Sequence, residues 1–237
     1  MSTDRSNLSA FIKTIGAPSD KISEALSKAK DICKDVDFRI AEKYGDCSIE
    51  LVYGSDMPKS TFDGVMRAVL GVLNDYVYAL EDITLAERFV QLLKLRKMKI
   101  SVAESFTGGG VGKKLVEIPG VSEVFFEGLN TYSNQSKVAR LGVKEQTLKQ
   151  YGAVSEQTAA EMAEGLILSG NCDLSISTTG IAGPNSDNTN KPVGLIYIGV
   201  ATRERVQVYK YNLKGSRQSI TETAINFALF LAFKSIK

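Results

Sequence analysis

The stretch from Lys99 to Val116 constrains the fold of this chain more than any other part of its sequence. Its first five residues, Lys99–Ala103, place β-branched side chains at alternate positions and predict a short strand. Three consecutive glycines, Gly108–Gly110, come shortly afterwards, and Val111–Val116 has the apolar spacing of a helix. The stretch therefore predicts a strand, a tight glycine turn and a helix in immediate succession.

Two hydroxyl side chains, Ser105 and Thr107, fall where this strand ends. A hydroxyl at a strand-to-helix turn stands at the sheet edge, beside a helix N-terminus whose free N–H groups favour developing negative charge. Such a position suits a nucleophile and its oxyanion hole. A serine- and glycine-rich connection with only a structural role explains the same residues, so these residues alone leave both interpretations open.

The 237-residue sequence contains no histidine. This absence excludes Ser-His-Asp and Cys-His hydrolases and every histidine-ligated zinc or iron site. If Ser105 is a nucleophile, its general base must be a lysine, a carboxylate or a tyrosine. The GxxxxGK[ST] frame also fails at Thr107 and Lys114, so the glycine turn does not predict an NTPase.

The cysteine content and the hydropathy of the chain indicate its compartment. Three scattered cysteines without a CxxC pair form neither a disulfide framework nor a zinc knuckle, and they fit a reducing environment. The sequence has no apolar signal segment, and no apolar run approaches the ~18 residues of a membrane helix. We therefore expect a cytoplasmic protein that does not span a membrane. Separately, we expect its function to need no metal or organic cofactor.

Charge is distributed unevenly along the chain and suggests two domains. Residues 1–84 carry 10 Lys/Arg and 14 Asp/Glu, a net charge of −4, whereas residues 85–237 carry 19 and 13, a net charge of +6. The two values add up to the overall +2. The basic second domain, residues 85–237, suits an anionic substrate better than the acidic first domain, residues 1–84.

The first domain is predicted to be a small α+β unit. Strand, helix, two strands of a hairpin and a second helix follow one another in roughly 75 residues, a pattern that packs helices on one face of a sheet. The order resembles a KH-type nucleic-acid-binding domain. However, residues 1–84 contain no GxxG pair and have the wrong net charge for gripping phosphates, which argues against nucleic acid as a partner. We favour a packing or dimerisation role for this domain, and we expect the protein to form a homo-oligomer.

The second domain is predicted to be a three-layer α/β domain. A helix with a capping box at Thr84 and Glu87 precedes the Lys99–Ala103 strand. Four further strands and several helices follow, up to a final helix that buries Ile220, Ala224, Phe227 and Leu231. Polar loops that contain glycine come after several of the strands, which is where open α/β sheets bind ligands.

Six ordered motifs in the second domain resemble the CinA family C-terminal domain. That domain is known as a nicotinamide mononucleotide amidohydrolase, and residues 1–84 are similar to the small KH-type domain that precedes it in longer CinA proteins. Two departures are Phe106, where the family usually has cysteine, and the loop Ser186–Asn190, which is often glycine-rich in the family. The motifs are Ala103–Gly109, Tyr132–Lys137, Gly152–Glu156, Thr179–Pro184, Lys191–Gly194 and Gly215–Arg217.

The resemblance implies a role for each matching residue. Ser105 is the implied nucleophile and Lys137 the base, in agreement with the exclusion of histidine. Tyr132, close to Lys137 in sequence, is expected to orient the lysine amine or relay a proton. Arg217 resembles the group that takes the nucleotide phosphate, and the backbone N–H groups around Thr107 to Gly109 are the expected oxyanion donors. The expected substrate-binding set is Glu104, Thr107, Gly108, Gly109, Thr179, Gly180 and Arg217.

The function that follows is hydrolysis of nicotinamide mononucleotide, or a related pyridine nucleotide, to nicotinic acid mononucleotide and ammonia. The alternative is a non-catalytic nucleotide-binding or scaffold protein of the same fold. The presence of both Ser105 and Lys137 argues against this alternative, because a protein that only binds needs neither. Structural interpretations also exist for Tyr132 as a core aromatic residue, Thr179 as a strand-end cap and Arg217 as a solvated charge.

Overall fold

The computed structural model describes residues 7–186 and 190–237. The chain divides into two compact units between Thr84 and Leu85. The loop Ser186–Asn190, noted above for its composition, lies partly outside the described residues, at 187–189. Each unit builds its own sheet.

The first unit is a four-stranded antiparallel sheet with two helices. The sheet has the order β2-β3-β1-β4, and α1 packs against α2. The predicted order of strand, helix, two strands and helix is confirmed, and a short additional strand, β4, closes the sheet. The elements are β1 (Asn7–Ile15), α1 (Ser19–Ile32), β2 (Asp37–Lys43), β3 (Asp46–Gly54), α2 (Lys59–Leu73), a single 3₁₀ turn (Asn74–Tyr76) and β4 (Val77–Ala79).

Buried apolar side chains at alternate positions of the strands form the core of the first unit. Ile12 on β1 and Ile49 and Leu51 on β3 are fully buried, and they pack with Val65 and Val69 of α2. Both helices follow a proline at the N-cap position, where the missing N–H of proline costs nothing. The unit is thus an α+β layer pair, as the sequence predicts.

The second unit contains a five-stranded mixed sheet with helices on both faces. Its sheet has the order β6-β5-β7-β8-β9, in which β6, β5 and β7 are parallel and the last two strands are antiparallel. Its elements are α3 (Leu85–Arg96), β5 (Ile100–Glu104), α4 (Gly110–Val116), a 3₁₀ turn (Val121–Glu123), β6 (Phe125–Asn130), α5 (Asn134–Leu141), α6 (Glu145–Tyr151), α7 (Glu156–Leu168), β7 (Leu174–Gly180), β8 (Leu195–Thr202), β9 (Val206–Asn212) and α8 (Arg217–Ile236).

The helices form two layers, so the predicted three-layer α/β domain is confirmed. Helix α7 packs on β7, β8 and β9 and carries α5 and α6, whereas α8 packs on β7 and β8 and contacts α3 and α4. On β7, the hydroxyl groups of Ser175 and Ser177 donate to the carbonyl oxygens of Ala163 and Ala159 in α7. Because strand side chains alternate, Thr178 faces the opposite layer.

The carboxyl ends of the three parallel strands meet at one edge of this sheet. Glu104 ends β5, Asn130 ends β6 and Gly180 ends β7, so the loops that follow lie side by side. Serine side chains cap two helices of this unit: Ser133, after β6, accepts the Ser136 N–H at the start of α5, and Ser216, after β9, accepts the Ser219 N–H at the start of α8. Among the described helices, none combines the length and the apolar composition that crossing a bilayer requires.

Candidate active site

Ser105 follows β5 and opens the turn into α4. Its backbone N–H donates to the Thr178 carbonyl oxygen at 3.1 Å, which extends the β5–β7 ladder by one residue, and Ser105 is 8% exposed. Gly108 and Gly109 then have φ values of +63° and +96°, a left-handed conformation that favours glycine. The predicted strand, glycine turn and helix are therefore present, with the serine hydroxyl at the sheet edge.

Glu104 uses its carboxylate inside this turn. One carboxylate oxygen accepts the backbone N–H groups of Gly109 at 3.1 Å and Val111 at 3.0 Å, and the other accepts that of Gly112 at 2.9 Å. The described contacts of the Glu104 side chain are thus with the backbone of the turn, and the expected contact with substrate is not tested by them. Its side chain is 2% exposed and is satisfied by the first turn of α4.

The hydrogen bonds of the turn also involve N–H groups that were expected to be oxyanion donors. The Gly108 N–H donates to the Ser105 carbonyl oxygen, and the Gly109 N–H donates to Glu104. Within the described part of the chain, the backbone N–H groups of Phe106 and Thr107 make no hydrogen bond. These two N–H groups are thus the ones in the turn without a partner among the described residues, whereas the expected range was Thr107–Gly109.

Lys137 lies next to Ser105 and is completely buried, with 0% exposure. It is on α5, the helix that Ser133 caps, and α5 packs on α7. The Lys137 Nζ atom is 3.1 Å from Ser105 Oγ, 2.7 Å from the Thr131 carbonyl oxygen and 3.1 Å from the Tyr132 carbonyl oxygen. The structure therefore brings together the nucleophile and the base that the resemblance implies.

Burial changes the acid–base character of the Lys137 amine. Desolvation disfavours its charged form and lowers its pKa from 10.5 to about 8. A neutral amine has two protons and one lone pair. The two carbonyl oxygens accept the two protons, so the lone pair is left facing the hydroxyl of Ser105. This is the arrangement that a general base for serine needs.

Tyr132 contributes its backbone rather than its ring to this pair. Its carbonyl oxygen accepts from Lys137, whereas its side chain is 68% exposed. The interpretation as a core aromatic residue is therefore wrong. Orientation of the amine occurs through the main chain, and a proton relay through the hydroxyl stays a prediction.

Two threonines at the end of β7 organise the neighbouring loops. Thr178 Oγ1 is 2.6 Å from Thr107 Oγ1, a buried hydroxyl pair that ties the serine turn to β7. Thr179 donates from Oγ1 to the Ala153 carbonyl oxygen at 2.7 Å. Thr178 was not singled out from the sequence, because a threonine inside a fully buried strand has no distinguishing pattern. Substrate contact by Thr107 and Thr179 stays a prediction.

Gly180 ends β7 at a point of close approach between strands. A Cβ atom at this position would lie 2.6 Å from the side chain of Ile196 on β8, so any larger residue would displace that strand. Gly108 and Gly109, by contrast, border open space. Their expected contact with substrate is compatible with this opening and stays a prediction.

Arg217 is the first residue of α8 and is exposed. Its guanidinium donates to the Gly183 carbonyl oxygen at 2.7 Å, which places a cation at the loop that follows β7.

Lys191 also binds backbone carbonyl groups with its charged end. Its amine donates to the carbonyl oxygens of Tyr151 and Val154 at 2.7 and 2.6 Å. Lys191 thus joins two motifs, Gly152–Glu156 and Lys191–Gly194, that are far apart in sequence. In the described ranges, no group of three or more Cys, Asp or Glu residues is placed to hold a metal ion.

A mixed sheet covered on both faces, with a buried lysine against a serine at its carboxyl edge, defines an α/β domain with a candidate nucleophile and base. The chain belongs to the CinA C-terminal domain family, whose model matches residues 82–236. It is 38% identical over 239 aligned residues to a putative competence-damage inducible protein from Caldicellulosiruptor saccharolyticus, an alignment that covers 96% of this chain and 56% of that protein.

Further relatives support the same assignment. A CinA-like protein from Kosmotoga olearia is 48% identical over 157 residues, which cover 66% of this chain and 38% of that protein. The chain thus spans about half the length, or less, of the curated relatives it matches. Among solved structures, the competence/damage inducible protein CihA from Agrobacterium tumefaciens superimposes with a TM-score of 0.60 and 35% identity over 63% of this chain and 93% of that chain. A CinA superfamily protein from Klebsiella pneumoniae superimposes with a TM-score of 0.62 and 27% identity, and the match covers 64% of this chain and 95% of that chain.

Proposed function

We propose that this protein hydrolyses the carboxamide of nicotinamide mononucleotide, giving nicotinic acid mononucleotide and ammonia. The observation that carries the chemistry is the buried Lys137 amine, 3.1 Å from Ser105 Oγ and held by two carbonyl oxygens. The identity of the substrate rests on membership of the CinA family and on the resemblance of its motifs. A net charge of +6 on residues 85–237 suits a phosphate-bearing ligand.

The first half of the proposed reaction acylates the serine. The neutral Lys137 amine takes the proton of Ser105, and Oγ attacks the carboxamide carbon to form a tetrahedral intermediate. The N–H groups of Phe106 and Thr107 stabilise the oxyanion. Protonated Lys137 then gives its proton to the leaving nitrogen, so that the C–N bond breaks, ammonia departs and an ester to Ser105 remains.

The second half releases the product and restores the pair. Lys137, neutral again, takes a proton from water, and the resulting hydroxide attacks the ester carbon through the same oxyanion site. Collapse of the intermediate breaks the bond to Ser105 Oγ, which recovers its proton from Lys137. Each turnover consumes one water and yields one ammonia. The carboxylic acid of the product ionises in solution.

Lys137 also argues against the scaffold alternative. Burying a lysine in a fold costs free energy, because the ammonium loses its hydration. A protein that only binds a nucleotide gains nothing from this arrangement, whereas a hydrolase without histidine requires a base that is neutral near physiological pH. The site therefore supports catalysis better than binding alone.

The proposal is tested by measuring ammonia release from nicotinamide mononucleotide and from free nicotinamide. We expect turnover of the mononucleotide and little or none of the free amide, because the latter lacks the phosphate that Arg217 is proposed to bind. Ser105→Ala is the matched control and should release no ammonia while keeping its thermal transition. If the wild type releases ammonia from neither compound, the proposed substrate is wrong.

A further inference from the structure

Glu104 is a buried carboxylate that hydrogen-bonds to backbone N–H groups. No ion pair involves it within residues 7–186 and 190–237, and three N–H groups of the turn and of α4 satisfy its two oxygens. A buried carboxylate without a cation is costly unless hydrogen bonds replace its hydration. Hydrogen bonds to an ionised acceptor are about twice as strong as neutral ones, so these three bonds offset much of that cost.

The main chain of Glu104 connects the same residue to the lysine side of the site. Its carbonyl oxygen accepts the Thr131 N–H at 2.8 Å. The carbonyl oxygen of Thr131 in turn accepts from Lys137 Nζ at 2.7 Å. Glu104 therefore lies between the turn that carries Ser105 and the backbone segment that holds Lys137.

The carboxylate also determines which N–H groups of the turn remain available. By accepting from Gly109, it directs that N–H away from any substrate, and the Gly108 N–H is already bonded within the turn. The N–H groups of Phe106 and Thr107 are then the ones left to meet an oxyanion. A side chain that fixes the far end of a five-residue turn fixes the orientation of the peptide planes in its middle.

We infer that Glu104 is a positioning residue for the oxyanion hole, acting through the backbone and without touching the substrate. This inference rests on the proposed amide hydrolysis at Ser105. Both carboxylate oxygens are occupied by the turn, so Glu104 is poorly placed to bind substrate or to replace Lys137 as the base.

The test is Glu104→Gln, which keeps the size of the side chain but turns an NH₂ group towards backbone donors. We expect kcat to fall at least about tenfold, since loss of a single oxyanion donor costs 10²–10³-fold in known cases. KM should change by less than about threefold. The acidic limb of the pH profile of kcat/KM should not move, because burial, and not Glu104, sets the pKa of Lys137.

Glu161→Gln is the matched control. Glu161 also accepts a backbone N–H at the start of a helix, from Lys144 at 2.8 Å, together with the Thr147 hydroxyl at 2.7 Å. Among the described residues, its hydrogen bonds and ion pair are made with Lys144 and Thr147, neither of which belongs to the site named above. We expect Glu161→Gln to lower the thermal transition without lowering kcat, so a decrease in kcat of similar size in both variants would overturn the inference.

A second readout separates this inference from the choice of substrate. The rate at which p-nitrophenyl acetate acylates Ser105, mapped by mass spectrometry, depends on the nucleophile and the oxyanion hole but not on a nucleotide site. If the wild type acylates faster than Glu104→Gln yet releases no ammonia from nicotinamide mononucleotide, the substrate is wrong and the role of Glu104 stands. If Glu104→Gln is folded and acylates at the wild-type rate, the role of Glu104 is wrong.

Glu104→Asp serves if the glutamine variant does not fold. Aspartate keeps the charge but is one methylene shorter, so it reaches fewer of the three N–H groups. We expect slower acylation of Ser105 than in the wild type and faster hydrogen exchange at Gly109, Val111 and Gly112. A wild-type acylation rate together with fast exchange at these amides would contradict the inference.

Discussion

At the scale of single residues, the proposed chemistry depends on one amine with three neighbours. Lys137 Nζ contacts two carbonyl oxygens and one hydroxyl in a fully buried position. Protonation would supply a third N–H, which would then point at Ser105 Oγ and remove the acceptor for its proton. We therefore expect the charge state of Lys137 to decide whether Ser105 acts as a nucleophile.

This dependence predicts the pH profile. Only the deprotonated amine accepts the serine proton, and the pKa of Lys137 is lowered to about 8 by burial. We expect kcat/KM to rise about tenfold per pH unit below pH 8 and to level off above it. Measurement of initial rates between pH 6 and pH 10 checks this, with circular dichroism at each pH as the control. A profile that is flat between pH 6 and pH 9 would contradict a lysine base.

Arg217 leads to a second prediction at this scale. If its guanidinium binds the substrate phosphate, Arg217→Ala should raise KM for the mononucleotide at least about tenfold, because a charge-assisted hydrogen bond to phosphate is worth about 1.5–3 kcal/mol. Any activity on the riboside, which has no phosphate, should change little. Arg203→Ala, which removes an arginine paired with Asp173, is the matched control. Equal losses on the mononucleotide and the riboside would show that Arg217 has another role.

At the scale of elements, helix α5 carries the base and depends on its cap. Ser133 Oγ accepts the Ser136 N–H at 3.1 Å, one turn before Lys137, and the Ser133 carbonyl oxygen accepts the Lys137 N–H. Ser133→Ala should cost about 1 kcal/mol of stability and lower kcat, because the start of α5 loosens. Ser133→Asn keeps a capping side chain and should restore both. A normal kcat in Ser133→Ala would mean that the contact with α7 alone positions Lys137.

Sequence patterns predicted most elements and missed the shortest ones. Helices such as α7 and α8 have long apolar stripes, whereas β4 (Val77–Ala79) and α6 (Glu145–Tyr151) are too short for their periodicity to be read.

The predicted pairing of Ser105 with Lys137 depended on the resemblance and on the lack of histidine. Glu104 could not be assigned in the same way, since a carboxylate after a strand can face either a ligand or the backbone. Only the path of the turn decides between them.

At the scale of the whole molecule, every proposed catalytic group belongs to residues 85–237. The two units have separate hydrophobic cores and separate sheets. We therefore expect a chain that begins at Leu80 to fold and to keep kcat within a few-fold of the full-length value. Circular dichroism and ammonia release check this prediction. A folded but inactive shortened chain would show that the missing residues 1–79 complete the site, for instance across the proposed homo-oligomer.

Lys137 is proposed to be the base for Ser105. This role is tested most directly by kcat for ammonia release in Lys137→Arg, a variant that keeps the positive charge but cannot accept a proton near neutral pH. We predict a fall of at least about a thousandfold, with Lys137→Ala and the double variant with Ser105→Ala little worse, because residues that act as one catalytic unit are not additive. A near-normal kcat in Lys137→Arg would overturn the role of Lys137 as the base, since Lys137 would then act only as an electrostatic anchor.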